Sequence, residues 1–271
     1  MWERVIIILQ FYLRAGTIYN VQSKFMFDFV VNVLDDRDRF YAFAKVEQQR
    51  QLLLKTALTI DVVDHGAGSH HLKGNQRSVK SIARNSLSPR AKSEILFKIV
   101  NYYDILRTLE LGTSLGISSA YLAIANIKNT VYTLEGDHNI LTIAKKVHLK
   151  LALKNIKYYE GRFDQNIAEV LEEMKRVDLA FIDGHHSEKP TIAYYEQILP
   201  YCHEGSIIIL DDIHWSASMY NAWANISGRK EVTLAIELMD IGVVFLDPKL
   251  SKQQIAYVPH RWKPWKIGLF G

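Results

Sequence analysis

Apolar residues follow two different periodicities along the chain, and the pattern changes near residue 100. Before it they recur every three or four positions, which predicts amphipathic helices over 24–34, 40–58 and 86–103. In the last of these we expect Ser88 as the N-cap and Pro89 as the first helical residue. The pattern therefore predicts a mainly helical N-terminal region over residues 1–100.

From residue 105 onward, short apolar runs typical of strands alternate with helical segments. The predicted strands cover 105–111, 130–135, 156–160, 177–182 and 206–211. This alternation indicates βαβ units, a parallel sheet and helices on both of its faces. Two more strands, within 231–238 and 242–247, are separated by three residues, which is too short for a parallel crossover. We therefore expect an α/β fold of seven strands, five parallel and two in a C-terminal antiparallel hairpin.

Composition narrows the class of protein. Hydrophobic residues make up 48% of the 271 and charged residues 23%, as in soluble globular proteins. The single cysteine, Cys202, excludes an internal disulfide and fits a reducing compartment. The apolar runs are too short to span a membrane. We expect a cytoplasmic protein without a membrane partner.

The net charge of +4 is unevenly placed. Between His65 and Ser93 there is no acidic residue, and this segment is either a solvated face or a surface that attracts anions. Its basic residues are Lys73, Arg77, Lys80, Arg84, Arg90 and Lys92.

Two glycine-containing segments, 61–70 and 105–123, compete as the ligand loop. After the second, Glu135 ends the next predicted strand, 25 residues beyond Glu110, where a carboxylate can accept hydrogen bonds from ribose hydroxyls. After the first, no acidic residue appears until Glu94. We therefore place the ligand at 105–123. The segment "DHGAGS" within 61–70 is either a tight turn or a lid or substrate wall.

The chosen loop carries Gly112 and Gly116, with hydroxyls between and after them. It lacks the G-x-G-x-x-G spacing that brings backbone close to a diphosphate. Hydroxyl side chains beside Glu110 suit a ligand with an amino-acid end. The alternative is that these glycines only permit close packing of strand and helix.

Residues 105–247 resemble a class I S-adenosylmethionine-dependent methyltransferase, with a Rossmann-like sheet and a reversed last strand. The motifs "LELGTSLGIS", "FIDGHHS" and "IIILDDIHW" are similar to those of its small-molecule O-methyltransferase branch. The resemblance implies an S-adenosylmethionine-binding domain over 101–271 that methylates a small-molecule hydroxyl. Glu110 and Gly112 would contact the methionine end, Ser118 its carboxylate, and Glu135 the ribose. The other expected cofactor contacts are Thr113, Ser114, Gly116, Arg162, Phe163 and Asp183, with Arg162 and Phe163 near the adenine.

Three carboxylates, Asp183, Asp211 and Asp212, follow the fourth and fifth predicted strands. Carboxylates gathered in one crevice repel unless a cation such as Mg²⁺ lies among them. In the metal-dependent enzymes that the chain resembles, an aspartate and an Asp-Asn pair hold the metal, and the pair here departs from that pattern. The alternative is that Asp212 caps a helix starting near His214 and Asp183 orders its loop. Both interpretations stay open, and we favour the metal-free one.

A hydroxyl acceptor must lose its proton during methyl transfer, through a metal or through a base. His185, His186 and His214 are the candidate bases, because histidine titrates near neutrality. His186 replaces a lysine expected from the family. Two alternative functions remain: a nucleic-acid methyltransferase, suggested by the basic segment, and a non-catalytic binding protein that retains the fold.

Overall fold

The computed structural model describes residues 2–36, 38, 40–62 and 76–265. "DHGAGS", Lys73 and the last six residues lie outside the described residues. The described helices are α1 (Trp2–Arg14), α2 (Lys24–Phe29), α3 (Tyr41–Lys55), α4 (Val79–Ser86), α5 (Arg90–Tyr102), α6 (Ile117–Ala125), α7 (His138–Lys150), α8 (Phe163–Met174), α9 (Glu188–Ile198) and α10 (Ala217–Ser227). None of them is long and apolar enough to cross a membrane.

The strands form two sheets. β1 (Thr59–Asp61) and β2 (Gln76–Ser78) make a small antiparallel pair. The large sheet contains β3 (Arg107–Leu111), β4 (Thr130–Glu135), β5 (Ile156–Glu160), β6 (Val177–Ile182), β7 (Cys202–Asp211), β8 (Leu234–Glu237), β9 (Ile241–Phe245) and β10 (Gln253–Ala256). Its strand order is β10-β8-β9-β7-β6-β3-β4-β5.

The predicted α/β fold is confirmed, but in the part of the chain that the structure describes the large sheet has eight strands and not seven. β3 pairs in parallel with β4 and β4 with β5, while β8 and β9 form the expected antiparallel hairpin. The eighth strand, β10, pairs in parallel with β8. Its sequence QQIA has two exposed glutamines and no apolar alternation, so the pattern did not show it.

The chain divides into two compact units, Asp38–Leu179 and Met1–Arg37 with Ala180–Gly271. In the first, α3 to α5 share a hydrophobic core with α6, in which the Phe43 ring lies 4.9 Å from Phe97 and 5.4 Å from Tyr121. In the second, Phe11, Ala15 and Val258 form a smaller core. The sequence-based boundary at residue 100 stays a prediction.

The N-terminus of α5 differs from the expected one. Pro89 occupies the N-cap position with an extended backbone (ψ 148°), and the helix begins at Arg90. Ser88 therefore lies outside the helix, and its carbonyl accepts a hydrogen bond from the buried Arg50 at 2.7 Å. This long-range contact is absent from any local sequence pattern.

Candidate functional site

The loop between β3 and α6 is a sharp turn built on left-handed residues. Gly112 (φ 106°), Ser114 (φ 47°) and Gly116 (φ 84°) all have positive φ, which glycine adopts without steric cost. The amides of Gly112 and Thr113 donate to the carbonyl of Leu134 at 3.0 and 3.1 Å. The turn is thereby fixed to the end of β4.

Gly116 also permits close packing of the turn against a helix. The alternative that the glycines serve packing is therefore correct in part for Gly116. A Cβ atom on Gly116 would lie 2.6 Å from Nε2 of His148 and 2.9 Å from Cβ of Ala144, both on α7. His148 Nε2 lies 2.7 Å from the Gly116 carbonyl and Nδ1 lies 2.9 Å from the Tyr158 hydroxyl. Because a carbonyl only accepts, Nε2 carries the hydrogen and donates it.

His148 is a residue that the sequence analysis missed. It is fully enclosed, and burial lowers its pKa to about 4, so the imidazole is neutral at physiological pH. It holds the turn through its hydrogen bond to the Gly116 carbonyl. The only sequence signal was its place in the last turn of a predicted helical segment, where histidine is common.

Glu110 lies on β3 with its side chain fully buried. Its Oε2 accepts hydrogen bonds from the hydroxyls of Ser119 and Thr133, the latter at 2.6 Å. Its Oε1 is buried and accepts no hydrogen bond from the described residues. Burial raises the pKa of this carboxyl, against the opposing effect of the hydroxyls of Ser118, Ser119 and Thr133. A buried carboxylate oxygen without a donor is costly, and a ligand with an N–H donor would remove that cost.

Glu135 ends β4 and holds the glycine turn. Its Oε2 accepts the amide of Ser114 at 2.8 Å and its Oε1 accepts the amide of Asp137 at 3.1 Å. Burial raises the pKa of its carboxyl, and these backbone hydrogen bonds oppose the shift. Each oxygen retains a second lone pair, so Glu135 can accept further hydrogen bonds from a ligand.

The remaining predicted cofactor contacts of the unit Asp38–Leu179 divide into two groups. Thr113 is buried, and its hydroxyl lies 2.6 Å from that of Thr133, so this hydrogen bond links the turn to β4. Ser118 is buried on the first turn of α6. Arg162 is exposed, is paired with Asp164 and precedes Phe163, the first residue of α8.

The unit that includes residues 180–271 contains the predicted aspartates and histidines. Three of these residues, His185 (φ 62°), His186 (φ 34°) and Asp212 (φ 51°), have left-handed backbones without being glycine. Such strain costs of order 1–3 kcal/mol per residue and is concentrated in proteins at functional sites. Nδ1 of His186 lies 3.8 Å from Oδ2 of Asp212, and Nδ1 of His185 lies 2.8 Å from the Tyr194 hydroxyl.

His214 has a different environment from the other two candidate bases. It is buried, with Nδ1 2.7 Å from the Met239 carbonyl and Nε2 2.8 Å from Glu237. Arg14 also pairs with Glu237, and these partners keep the pKa of the Glu237 carboxyl below its usual range despite its burial. Both ring nitrogens of His214 are thus engaged by protein acceptors.

Asp183 follows β6 and is half-buried, and Asp211 is the buried last residue of β7. The alternative that Asp212 caps a helix starting near His214 is wrong, because α10 begins at Ala217 and Ser216 accepts its capping hydrogen bond from the Met219 amide. Within residues 2–36, 38, 40–62 and 76–265, no group of three or more histidine, cysteine, aspartate or glutamate side chains is placed to hold a metal ion. A metal site at Asp183, Asp211 and Asp212 stays a prediction.

The glycine turn and the strands around it coincide with a known sequence family. Residues 109–213 match the family model described as "Methyltransferase domain". Over those residues the chain is thus similar to a methyltransferase domain. The domain starts within β3, includes Glu110, the glycine turn, Glu135 and His186, and ends just after Asp212.

Solved structures share the fold of the methyltransferase domain at low sequence identity. An O-methyltransferase from Bacillus cereus in complex with SAH has 19% identity, with 80% of this chain and 96% of that chain covered (TM-score 0.53). The SAH-bound Podospora anserina methyltransferase PaMTH1 has 13% identity, with 79% and 91% covered (TM-score 0.58). The O-methyltransferase TomG from Streptomyces achromogenes, in complex with SAM, has 16% identity, with 78% and 91% covered (TM-score 0.53). A search of curated proteins found no match.

Proposed function

We propose that this chain transfers a methyl group from S-adenosylmethionine to a hydroxyl oxygen of a small-molecule acceptor. The observation that carries the proposal is the buried Oε1 of Glu110, which accepts no hydrogen bond from the described residues and lies beside the glycine turn. The ammonium group of a methionine moiety is a charged donor that would satisfy it. The methyltransferase domain and the SAM- and SAH-bound proteins of the same fold support the choice of cofactor.

In this proposal the glycine turn and the ends of β3 and β4 bind the cofactor. Glu110 and Gly112 bind its methionine end, Ser118 binds its carboxylate, and Glu135 accepts hydrogen bonds from the ribose hydroxyls. The further contacts are Thr113, Ser114, Gly116, Arg162, Phe163 and Asp183, with Arg162 and Phe163 at the adenine. We retain residues 101–271 as the cofactor-binding region and residues 1–100 as a lid or substrate wall.

When bound, the cofactor supplies a methyl group on a positively charged sulfur, which is already activated for transfer. The protein must align the acceptor and remove its proton. We assign that proton to His186: its ring takes the hydroxyl hydrogen, and Asp212, 3.8 Å from Nδ1, stabilises the imidazolium that forms. His185 remains the alternative. His214 is not assigned this role, because both of its ring nitrogens are engaged by protein acceptors.

The two alternative functions have less support. Of the basic residues that suggested nucleic acid, Lys92 is buried and the charge of Arg90 is partly balanced by Glu94 at 2.7 Å, which weakens the case for a phosphate-binding surface. A non-catalytic binding protein would have no need of the cofactor. A transfer assay with a labelled methyl group separates the three functions. Label should enter a pool of hydroxyl compounds if the proposal is right, RNA or DNA if the chain methylates nucleic acid, and neither if it is a non-catalytic binding protein.

Calorimetry with S-adenosylhomocysteine tests the cofactor assignment directly. We expect micromolar binding by the wild type, no binding of NAD, and a loss of about 1–3 kcal/mol in Glu135→Ala, because the ribose hydroxyls lose a charged acceptor. The exposed Glu169→Ala is the matched control and should bind normally. An unchanged dissociation constant in Glu135→Ala, or binding of NAD instead, would overturn the assignment.

A further inference from the structure

Helix α1 exposes a continuous apolar stripe to solvent. Its members are all at least half exposed, up to 81% for Trp2. They are Trp2, Val5, Ile6, Leu9 and Leu13. Single exposed apolar side chains are normal in soluble proteins, but a contiguous set marks an interaction surface. Another group must therefore cover this stripe in the functional protein.

The stripe is not the face by which α1 packs on its own unit. The ring of Phe11 is fully buried and lies 4.8 Å from the His214 ring. The Arg4 guanidinium lies 4.5 Å from the centre of the Trp215 ring. At about 100° per residue, Phe11 and Arg4 project from the side opposite the stripe. α1 is thus already docked through its inner face, and its outer face needs a separate partner.

The spacing of the stripe indicates a helix as that partner. Trp2, Ile6, Leu9 and Leu13 are separated by four, three and four residues, which is the seam spacing of two helices packed side by side. We propose that a second copy of this chain covers the stripe, with the two α1 helices antiparallel around a two-fold axis between Ile6 and Leu9. Such an isologous contact uses the same surface on both copies.

The charges on α1 favour the antiparallel arrangement. Glu3 in the first turn and Arg14 in the last lie on one flank of the stripe, and Arg14 remains 41% exposed although it also pairs with Glu237. An antiparallel pair brings Glu3 of each copy towards Arg14 of the other, whereas a parallel pair places like charges at the same end. A lipid surface fits less well, because membrane-binding helices carry several lysines or arginines on the polar flank. Here that flank has Glu3, Gln10 and Arg14.

Sedimentation velocity on the full chain tests this proposal without reference to cofactor or activity. We expect the wild type to be dimeric and Ile6→Lys/Leu9→Lys to be monomeric, with an unchanged circular dichroism spectrum. The matched control is Ile127→Lys/Leu149→Lys, which replaces two apolar residues that are 86% and 79% exposed elsewhere, and it should remain dimeric. S-adenosylhomocysteine binding should be the same in all three, so failure of the dimer and failure of the proposed function are distinguishable.

Cross-linking of single cysteines tests the orientation, in a Cys202→Ser background that removes the native thiol. In the antiparallel pair, the two residues at position 9 are offset by about 4.5 Å along the helix axis and those at position 2 by about 16 Å, at 1.5 Å per residue. A short bismaleimide should therefore join Leu9→Cys dimers but not Trp2→Cys dimers. Cross-linking of both would overturn the antiparallel arrangement. A wild-type chain that is monomeric at every concentration, with or without binding to anionic vesicles, would overturn the proposal itself.

Discussion

Glu110 is the residue at which stability and function oppose each other. Its carboxyl is fully buried with one oxygen that no described residue satisfies, and burial raises its pKa. Glu110→Gln should therefore raise the melting temperature of the ligand-free protein at pH 7, by about 2–4 °C for each kcal/mol gained. The same change should weaken S-adenosylhomocysteine binding, because a charged acceptor is lost. Calorimetry and thermal unfolding measure the two effects, and Glu169→Gln serves as the exposed control.

The pH dependence of this difference has a definite sign. A carboxyl whose pKa is raised in the folded state binds more protons there than in the unfolded chain, so its contribution to stability falls as pH rises through that window. The stability advantage of Glu110→Gln should thus be largest at neutral pH and disappear as the wild-type carboxyl becomes protonated in acid. An advantage that stays constant with pH would show that Glu110 is not the residue responsible.

His148 should act in the opposite direction. Its pKa is lowered to about 4 by burial, so between there and the ordinary value of 6.5 the unfolded chain binds the proton and the folded chain does not. Because of this group, the free energy of unfolding should fall by on the order of 3 kcal/mol as the pH falls through this window. His148→Gln retains an N–H donor towards Gly116 and should lack that loss. The difference in unfolding free energy between the two proteins, followed from pH 7 to 4, isolates the effect.

At the scale of elements, the strands that could be predicted from the sequence are those that a local pattern of apolar residues determines. Most of the strands from β3 to β9 were recognisable because they contain a short apolar run bounded by polar residues. β10 was missed because an edge strand such as QQIA needs no apolar alternation, and its pairing with β8 is a long-range contact. The N-cap of α5 is Pro89, one residue later than predicted.

The candidate site shows the same division between local and long-range information. Glu110, Gly112, Gly116 and Glu135 could be named from the motif and its spacing along the chain. His148 could not, since its role depends on α7 packing against the glycine turn, 32 residues away in sequence. The engagement of His214 by Glu237 is equally invisible before the chain folds.

The junction of β3 and α6 should be intolerant of any side chain at Gly116. Alanine there would adopt a left-handed backbone, at a cost of roughly 1–2 kcal/mol, and its Cβ would lie 2.6 Å from His148. We expect Gly116→Ala to lower both the unfolding free energy and the affinity for S-adenosylhomocysteine. Gly205→Ala is the control, because that glycine is exposed and meets only the ring of His203. Equal effects of the two substitutions on affinity would mean that the turn does not bind the cofactor.

At the scale of the whole molecule, one proton and one methyl group must be moved in each turnover, and the route of the proton distinguishes the two mechanisms left open by the sequence. If His186 is the base, His186→Gln should lower kcat by about 10²–10⁴-fold, which is the usual contribution of a general base to the rate. S-adenosylhomocysteine binding should be unchanged. The rate of the wild type should be indifferent to EDTA, because a side chain and not a metal-bound group then removes the proton. His203→Gln is the control for loss of an imidazole, because His203 is a half-buried residue near the start of β7. If EDTA abolishes activity and Mg²⁺ restores it, then Asp183, Asp211 and Asp212 hold a cation that lowers the pKa of the acceptor. In that case Asp211→Asn, rather than His186→Gln, should be the more damaging substitution.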